Sequence, residues 1–207
     1  AMRQRSEDFV AHEEGLTDNV LKFDYEVIVD GSTLERPVNY SLVRIIPAEG
    51  TLQREDGRPY VIIDPRAGHG SGIGGFKEAS EVGAAIEAGH PVYFAIFSRM
   101  PMPNQTLADV TAAEAGFVRE VQRRHPNSPK PIIIGNCQGG WAAMLLAATN
   151  PDITGPVVAN GAPLSYWGGV KGKNPMRYLG GIVGGVTSVM LMSDLTDGHF
   201  DGANLVY

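Results

Sequence analysis

The feature that most constrains the fold is a set of short strands that are apolar on both faces. Four are predicted, at "YVIIDP" (60–65), "PVYFAIF" (91–97), "PIIIGN" (131–136) and "GPVVANGAP" (155–163). The segments between them, at 76–89, 106–125 and 139–149, have the spacing of amphipathic helices. Thr106 and Asp109 are expected at the start of the second helix, and Arg123 and Arg124 in its last turn. Strands of this kind that alternate with helices form a parallel sheet covered on both sides. The sequence therefore predicts an α/β fold with a mostly parallel sheet.

The N-terminal region has a different pattern, typical of antiparallel strands. "LKFDYEVIVDG" alternates with period two and turns at Asp30–Gly31, and "PVNYSLVRIIP" (37–47) alternates again. The first of these strands is expected to place four apolar residues on one face: Phe23, Tyr25, Val27 and Val29. After Pro163 the sequence becomes rich in glycine, and no further element is predicted there.

Composition and charge exclude several classes of function. The chain has 207 residues and a net charge of −6, with its Lys and Arg residues spread along it. Nucleic acid is therefore not expected as a partner, because phosphate binding needs concentrated positive charge. The apolar run at 179–192 has 14 residues, too few for a stable membrane span. No metal-ligand spacing is visible, so neither a metal nor another cofactor is predicted.

The only cysteine lies at the junction of a predicted strand and a predicted helix, in "GNCQGGW". The pattern G-x-C-x-G is typical of a nucleophile elbow in which cysteine replaces serine. Such a turn needs Gly135 and Gly139 because a side chain two positions from the nucleophile would collide with the neighbouring backbone. The backbone N–H of Gln138 is then the expected first oxyanion donor. The alternative is that Cys137 is a small buried packing residue.

The glycine-rich loop "RAGHGSGIGG" (66–75) follows the first apolar strand, where a second oxyanion donor is expected. Pro65 has no N–H, so the donor is predicted to be Arg66 or a residue beyond it. His69, in the same loop, is a candidate for substrate contact. The alternative is a loop without catalytic function.

A cysteine nucleophile needs a base, and the expected chain order is nucleophile, acid, histidine. Only His199 follows Cys137, within "SDLTDGHFDG". It is the candidate base by composition alone, because no strands are predicted before it. The single cysteine cannot form an internal disulfide, which fits a reducing, cytoplasmic compartment.

Three segments, "VIIDPRAGHGSGIGGF", "GNCQGGWAA" and "NGAPLSYWGGVKGKNPMRY", resemble a bacterial family of polyhydroxyalkanoate-synthase-like proteins ("3-hydroxyalkanoate synthetase") of the α/β-hydrolase superfamily. The resemblance implies an α/β-hydrolase-like fold, with a polar tail at 1–18, an incomplete core at 19–163 and a lid or connecting segment at 164–207. Family members similar to this chain are longer. Polyhydroxyalkanoate synthases themselves carry a cysteine in a G-x-C-x-G pattern, which Cys137 matches, and an aspartate and a histidine much farther downstream, which have no clear match here. The chain is therefore expected to be the N-terminal portion of a longer fold, completed by a further segment or a partner chain. The alternative is a short relative that has lost the standard triad.

The same resemblance implies a function. Cys137 is expected to accept the acyl group of a hydroxyacyl-coenzyme A thioester and pass it to a hydroxyl group. Residues at the elbow and in the lid are predicted to bind the substrate: Asn136, Trp141, Trp167 and Arg177. The alternatives are a cysteine esterase or thioesterase, and a non-catalytic module that binds a polyester granule or membrane surface. A cytoplasmic location with granule association is expected, and a homodimer is left open.

Overall fold

A computed structural model describes residues 20–54, 56–66, 71–98, 100–165, 168, 170, 173, 185–196 and 198. The chain divides into two compact units, Ala1–Pro163 and Leu164–Tyr207. The first unit contains a single six-stranded sheet with helices on both faces. In the second unit, the described helix is Gly185–Asp194.

The strands run in chain order as β1 (Tyr25–Asp30), β2 (Tyr40–Ile45), β3 (Tyr60–Ile63), β4 (Val92–Phe97), β5 (Ile132–Asn136) and β6 (Val157–Asn160). Their spatial order is β1-β2-β4-β3-β5-β6. β2 is antiparallel to both β1 and β4, whereas β4, β3, β5 and β6 are parallel to one another. This mostly parallel α/β sheet with antiparallel strands at its start is the predicted fold class, which is confirmed.

The helices are α1 (Glu81–Glu87), α2 (Leu107–Arg124), α3 (Gln138–Thr149) and α4 (Gly185–Asp194). The predicted start of α2 is confirmed as a capping box, because Thr106 accepts from the Asp109 N–H while the Asp109 carboxylate accepts from the Thr106 N–H. At the other end, the predicted basic residues Arg123 and Arg124 both pair with Glu120. The capping box satisfies backbone N–H groups that the helix cannot satisfy internally, whereas the pairs with Glu120 join side chains only.

Two hydrophobic cores lie on opposite faces of the sheet, because successive strand residues point in opposite directions. Val61 and Ile63 of β3 belong to the core that contains α2 and α3 residues. Ile62, between them, belongs to the core that contains α1 residues. The strand β3 is thus covered on both faces, which is why its sequence is apolar without alternation.

β1 departs from the predicted alternation. A β-bulge interrupts its pairing with β2 between Val27 and Val29. The bulge shifts the side-chain faces, so Tyr25 packs on the α1 side and Val29 on the α2–α3 side. Val27 is 57% exposed. The prediction that these residues share one face is therefore wrong.

Two helix predictions also need correction. The helix predicted over 76–89 is shorter, because the Ser80 hydroxyl caps it by accepting from the Gly83 N–H, and α1 begins at Glu81. The sequence after Pro163 contains α4, where no element is predicted. Its sequence, GVTSVMLMSD, has no charged residue before Asp194, so no polar face with helical spacing is visible. Within the described part of the chain, no helix combines the length and apolarity needed to cross a membrane.

Candidate active site

The backbone makes a sharp turn between β5 and α3, and Cys137 lies at its apex. Cys137 has φ 49° and ψ −119°, a left-handed conformation that a residue with a side chain rarely adopts. Its N–H donates to the Asn160 carbonyl at 2.9 Å, and its carbonyl accepts from the Gly140 N–H at 3.0 Å. The thiol is exposed. This is the geometry of a nucleophile elbow, with strain held in place by the surrounding backbone.

The glycines around Cys137 are required by close backbone packing. A Cβ on Gly135 would overlap the Gly139 carbonyl, and a Cβ on Gly139 would overlap the Ile63 carbonyl of β3. A Cβ on Gly140 would overlap the Ala162 side chain. The elbow is thus pressed between its own helix, β3 and the segment after β6.

The N-terminus of α3 adjoins Cys137, which is its N-cap residue and makes no side-chain capping bond. The first N–H groups of a helix have no partner within the helix. The Gln138 N–H belongs to this set, and such groups stabilise negative charge at a helix N-terminus. Its assignment as an oxyanion donor stays a prediction.

The loop after β3 is fastened at both of its described ends. Asp64 accepts from the backbone N–H of Gly72, and from the Ile73 N–H at 3.0 Å. The Phe97 N–H donates to the Ser71 hydroxyl at 3.2 Å, which joins the loop to the end of β4. Residues 67–70, including the candidate His69, lie outside the described residues.

The side chain of Arg66 contacts Tyr40, although the prediction for Arg66 concerned only its backbone N–H. Its Nε donates to the Tyr40 hydroxyl, and its guanidinium carbon lies 4.9 Å from the centre of the Tyr40 ring. Burial raises the pKa of Tyr40 to about 12, although the Arg66 charge opposes the shift. Whether the Arg66 N–H is the second oxyanion donor stays a prediction.

A cavity lies between α2 and α3 at the end of β3, and it contains two buried acids. Asp64 is 2% exposed and Glu114 is 3% exposed. Burial raises the pKa of each carboxyl to about 7. Asp64 Oδ1 and Glu114 Oε2 have no hydrogen-bond partner among the described residues. Gln138 and the predicted substrate-binding residue Trp141 also line this cavity.

Neither acid was predicted from the sequence, although one signal was available. Glu114 lies four residues after Val110 and four before Val118, on the stripe that α2 buries. A carboxylate on a buried helical stripe is unusual and marks a position to examine. Asp64 had no comparable signal, because an acid directly after a strand is common in exposed loops.

Asn136 lies beneath the elbow rather than in the cavity. It is 8% exposed, its Nδ2 donates to Glu81 at 2.7 Å, and its Oδ1 accepts from Asn160 at 3.0 Å. These bonds tie the end of β5 to α1 and β6. The arrangement supports a positioning role, and it gives no support for the predicted substrate contact.

The other predicted site residues, Trp167, Arg177 and His199, lie outside the described residues. The two described histidines lie at the N-terminal ends of the parallel strands, whereas Cys137 lies at their C-terminal ends. His90 contacts the Arg58 carbonyl at 3.1 Å, and His125 hydrogen-bonds with the Tyr93 hydroxyl at 2.9 Å. They precede β4 and β5, whereas Cys137 follows β5, so neither is placed to serve as its base. No cluster of three potential metal ligands occurs among the residues that the structure describes.

Comparison with solved structures finds several with low similarity. Est1E from Butyrivibrio proteoclasticus is 16% identical with a TM-score of 0.46, over 68% of this chain and 51% of that chain. The Pyrococcus furiosus esterase Pf2001 is also 16% identical with a TM-score of 0.46, over 73% of this chain and 54% of that chain. The α/β-hydrolase-like assignment rests on the strand order and the elbow described above.

A protein of Rhizobium meliloti, described as "Uncharacterized protein in ackA 5'region", is 51% identical over 206 residues. The match covers 99% of this chain, and the chain spans 28% of the relative's length. Residues 1–207 also match the family described as "Protein of unknown function (DUF3141)". The chain therefore belongs to the DUF3141 family.

Proposed function

We propose that Cys137 is the nucleophile of an acyl-transfer reaction on a hydroxyacyl-coenzyme A thioester. The observation that carries the proposal is the left-handed, exposed Cys137 between β5 and α3, with no room for a side chain at the neighbouring glycines. A residue with a side chain keeps such a conformation only where its surroundings enforce it, and such sites are concentrated at functional centres. A packing residue needs neither the strain nor the exposure.

The chemistry proceeds in two balanced steps. The Cys137 thiolate attacks the thioester carbonyl, a new S–C bond forms, and the bond from carbon to the coenzyme sulfur breaks. The coenzyme leaves as a thiolate and takes up a proton. A hydroxyl group then loses its proton and attacks the acyl-cysteine, so that an ester forms and the Cys137 thiolate is released.

The residues near the elbow have distinct parts in this proposal. The Gln138 N–H stabilises the oxyanion of each tetrahedral intermediate, with a second donor from Arg66 or the residues after it. Trp141 contacts the acyl group from the first turn of α3. His69, Trp167, Arg177 and His199 remain candidates for substrate binding and proton transfer.

Hydrolysis is a second candidate, favoured by the exposure of Cys137. An acyl-cysteine at an exposed position is open to attack by water, which releases a free acid. The attack on the thioester is the same in both reactions, so only the acceptor separates an acyltransferase from a thioesterase. The ratio of ester to free acid among the products distinguishes them.

The first step is tested with the intact protein and 3-hydroxybutyryl-coenzyme A, with the acylated peptide identified by mass spectrometry. We expect acyl label on the peptide that contains Cys137, and none on the Cys137→Ala protein. Gly116→Ala is the matched control, because a Cβ at Gly116 meets no atom within 4 Å. Equal labelling of the Cys137→Ala protein contradicts the proposal. So does the absence of label on a folded wild-type protein, which favours a binding module.

A further inference from the structure

Three polar side chains form a closed hydrogen-bond network beneath the elbow. Asn136 Nδ2 donates to Glu81 Oε2 at 2.7 Å, and Asn160 Nδ2 donates to Asn136 Oδ1 at 3.0 Å. The third bond runs from Asn160 Nδ2 to Glu81 Oε1 at 3.3 Å. Each side chain therefore bonds to the other two, and Glu81 uses both of its carboxylate oxygens. The network joins the first residue of α1 to the last residues of β5 and β6.

The network is connected to Cys137 in two ways. Asn136 directly precedes Cys137 in the chain, and the backbone carbonyl of Asn160 accepts from the Cys137 N–H at 2.9 Å. The side chains of both asparagines meet at Glu81. One carboxylate thus holds the residue before the nucleophile and also the residue that binds the nucleophile's amide. The left-handed backbone of Cys137 persists only where its surroundings enforce it, and this network is part of those surroundings.

The two bonds to Glu81 require a carboxylate at this position. Each asparagine directs an amide nitrogen at Glu81, and only a carboxylate offers two acceptor oxygens and no donor. Hydrogen bonds to a charged acceptor are also stronger than those between neutral groups. Any acid in the first turn of α1 would interact favourably with the helix N-terminus, but that role requires neither of these bonds.

Space around the network is limited. A Cβ on Gly74 would lie 3.0 Å from Glu81 Oε2 and 3.2 Å from Asn136 Nδ2. The Gly74 carbonyl also accepts from the Val82 N–H at 3.1 Å, which holds the loop after β3 against α1. The loop therefore passes close to the bond between Glu81 and Asn136. A side chain that loses its partner here has little room to find another.

We infer that Glu81 is a positioning residue for Cys137 and acts through the side chains of Asn136 and Asn160. It holds the ends of β5 and β6 together at the elbow, so that the Cys137 thiolate stays at the N-terminus of α3. The inference rests on the proposed function, because it gives Glu81 a part in the reaction of Cys137. No contact between Glu81 and the substrate is needed.

The test reverses one bond of the network. Glu81→Gln alone turns an amide nitrogen towards one of the two asparagine nitrogens, so one bond is lost. Asn136→Asp alone places two carboxylates against each other. In the double variant the glutamine nitrogen donates to the new aspartate, and the remaining oxygen of each accepts from Asn160, so all three bonds are restored. Glu87→Gln, at the exposed end of α1, is the matched control.

The first readout is the rate of acylation of the intact, folded proteins by 3-hydroxybutyryl-coenzyme A. We expect Glu81→Gln and Asn136→Asp each to lower the rate constant at saturating thioester roughly tenfold, because a small displacement of a nucleophile is costly. The thioester concentration that gives half the maximal rate should not change. The double variant should recover most of the rate, and Glu87→Gln should retain all of it. A merely structural effect would lower the free energy of unfolding without changing these rates.

The second readout is alkylation of Cys137 by iodoacetamide, which does not depend on acyl transfer. The same order of rates is expected among the variants, because the first N–H groups of α3 stabilise a thiolate only while Cys137 keeps its place. If the wild-type protein is never acylated but the alkylation rates follow this order, the proposed function alone is contradicted.

Two results overturn the inference. One is a folded Glu81→Gln protein that reacts as fast as the wild-type protein with both reagents. The other is a double variant that reacts no faster than its slower parent with either reagent. If the double variant does not fold, Asn160→Ala takes its place, because it removes two bonds of the network and leaves Glu81 intact. Wild-type rates in the Asn160→Ala protein would then overturn the inference.

Discussion

The elbow and the cavity beside it are held by different kinds of interaction. The elbow is fixed by backbone atoms that leave no room for a side chain at Gly135 or Gly139. The cavity is formed by side chains from β2, β3 and the segment after it, α2 and α3, and each of its two acids keeps one unpartnered oxygen among the described residues. The elbow has a strained backbone but is closely packed. The cavity has no strained backbone residue, but two of its buried carboxylate oxygens lack a hydrogen-bond partner among the described residues.

This difference shows two ways in which a fold maintains a costly site. At the elbow, the cost is conformational and is offset by packing that permits no other path for the chain. In the cavity, the cost is electrostatic, because Asp64 and Glu114 are removed from water without full compensation. The two costs respond to different changes: the elbow to added volume, and the cavity to pH.

The largest expected effect comes from adding one carbon to the elbow. Gly139→Ala places a Cβ against the Ile63 carbonyl, so the backbone of α3 or β3 must move. We expect the free energy of unfolding to fall by about 3 kcal/mol, as measured by urea denaturation. If the urea midpoint of the Gly139→Ala protein is unchanged, the elbow is not held by close packing. The elbow and the cavity would then not differ in the way described above.

The next effect is a pH dependence that arises from the cavity. Burial raises the pKa of folded Glu114 from 4.5 to about 7, so the folded state holds this proton more tightly than the unfolded state. Its contribution to stability is complete below pH 4.5 and is lost as the pH rises through about 7. It amounts to about 3 kcal/mol, at about 1.4 kcal/mol for each pH unit.

Glu114→Gln removes this titration and should therefore reduce the decline, to which Asp64 still contributes because its pKa is also raised to about 7. The measurement is the difference in unfolding free energy between the two proteins at pH 4 and pH 8. Glu87→Gln, at the exposed end of α1, is the control for loss of a helix carboxylate. If the wild-type and Glu114→Gln curves run parallel across this range, Glu114 is not a buried acid with a raised pKa.

A smaller effect is expected at Cys137 itself. Glycine adopts the left-handed conformation without steric cost, whereas alanine retains the strain. The Cys137→Gly protein should therefore be more stable than the Cys137→Ala protein by about 1–2 kcal/mol, although neither can be acylated there. Chemical denaturation of both proteins measures this difference. Equal stabilities would mean that the elbow is not strained at this residue.

The smallest expected effect is a gain at a glycine that has no packing role. Gly116 lies in α2, where a Cβ meets no atom within 4 Å. Gly116→Ala should raise the free energy of unfolding by about 0.5–1 kcal/mol, because alanine favours the helix and restricts the unfolded chain. A loss of stability comparable to that of Gly139→Ala would show that the glycines of this chain cannot be distinguished by local space.

Much of the fold could be predicted because its signals are local. The apolar runs gave the strands, and Thr106 with Asp109 marked the start of α2. The bulge between Val27 and Val29 could not be predicted, since period two is preserved in the sequence and only the pairing with β2 breaks it. α1 begins at Glu81, later than predicted, because Ser80 caps the helix there. The helical pattern in the sequence continues upstream of this cap and so gave no sign of the later start.

The sequence by itself predicted the elbow, because the pattern from Gly135 through Cys137 to Gly139 spans only five residues. The tertiary structure shows that the contact requiring a glycine at position 139 comes from Ile63 of β3. The sequence also determined the parallel sheet, through strands that are apolar on both faces. Only the tertiary structure decided that Asp64 and Glu114, 50 residues apart, share one cavity. The physical reason is that burial and the loss of hydrogen-bond partners depend on how β3, α2 and α3 pack together, which no short segment of the chain records.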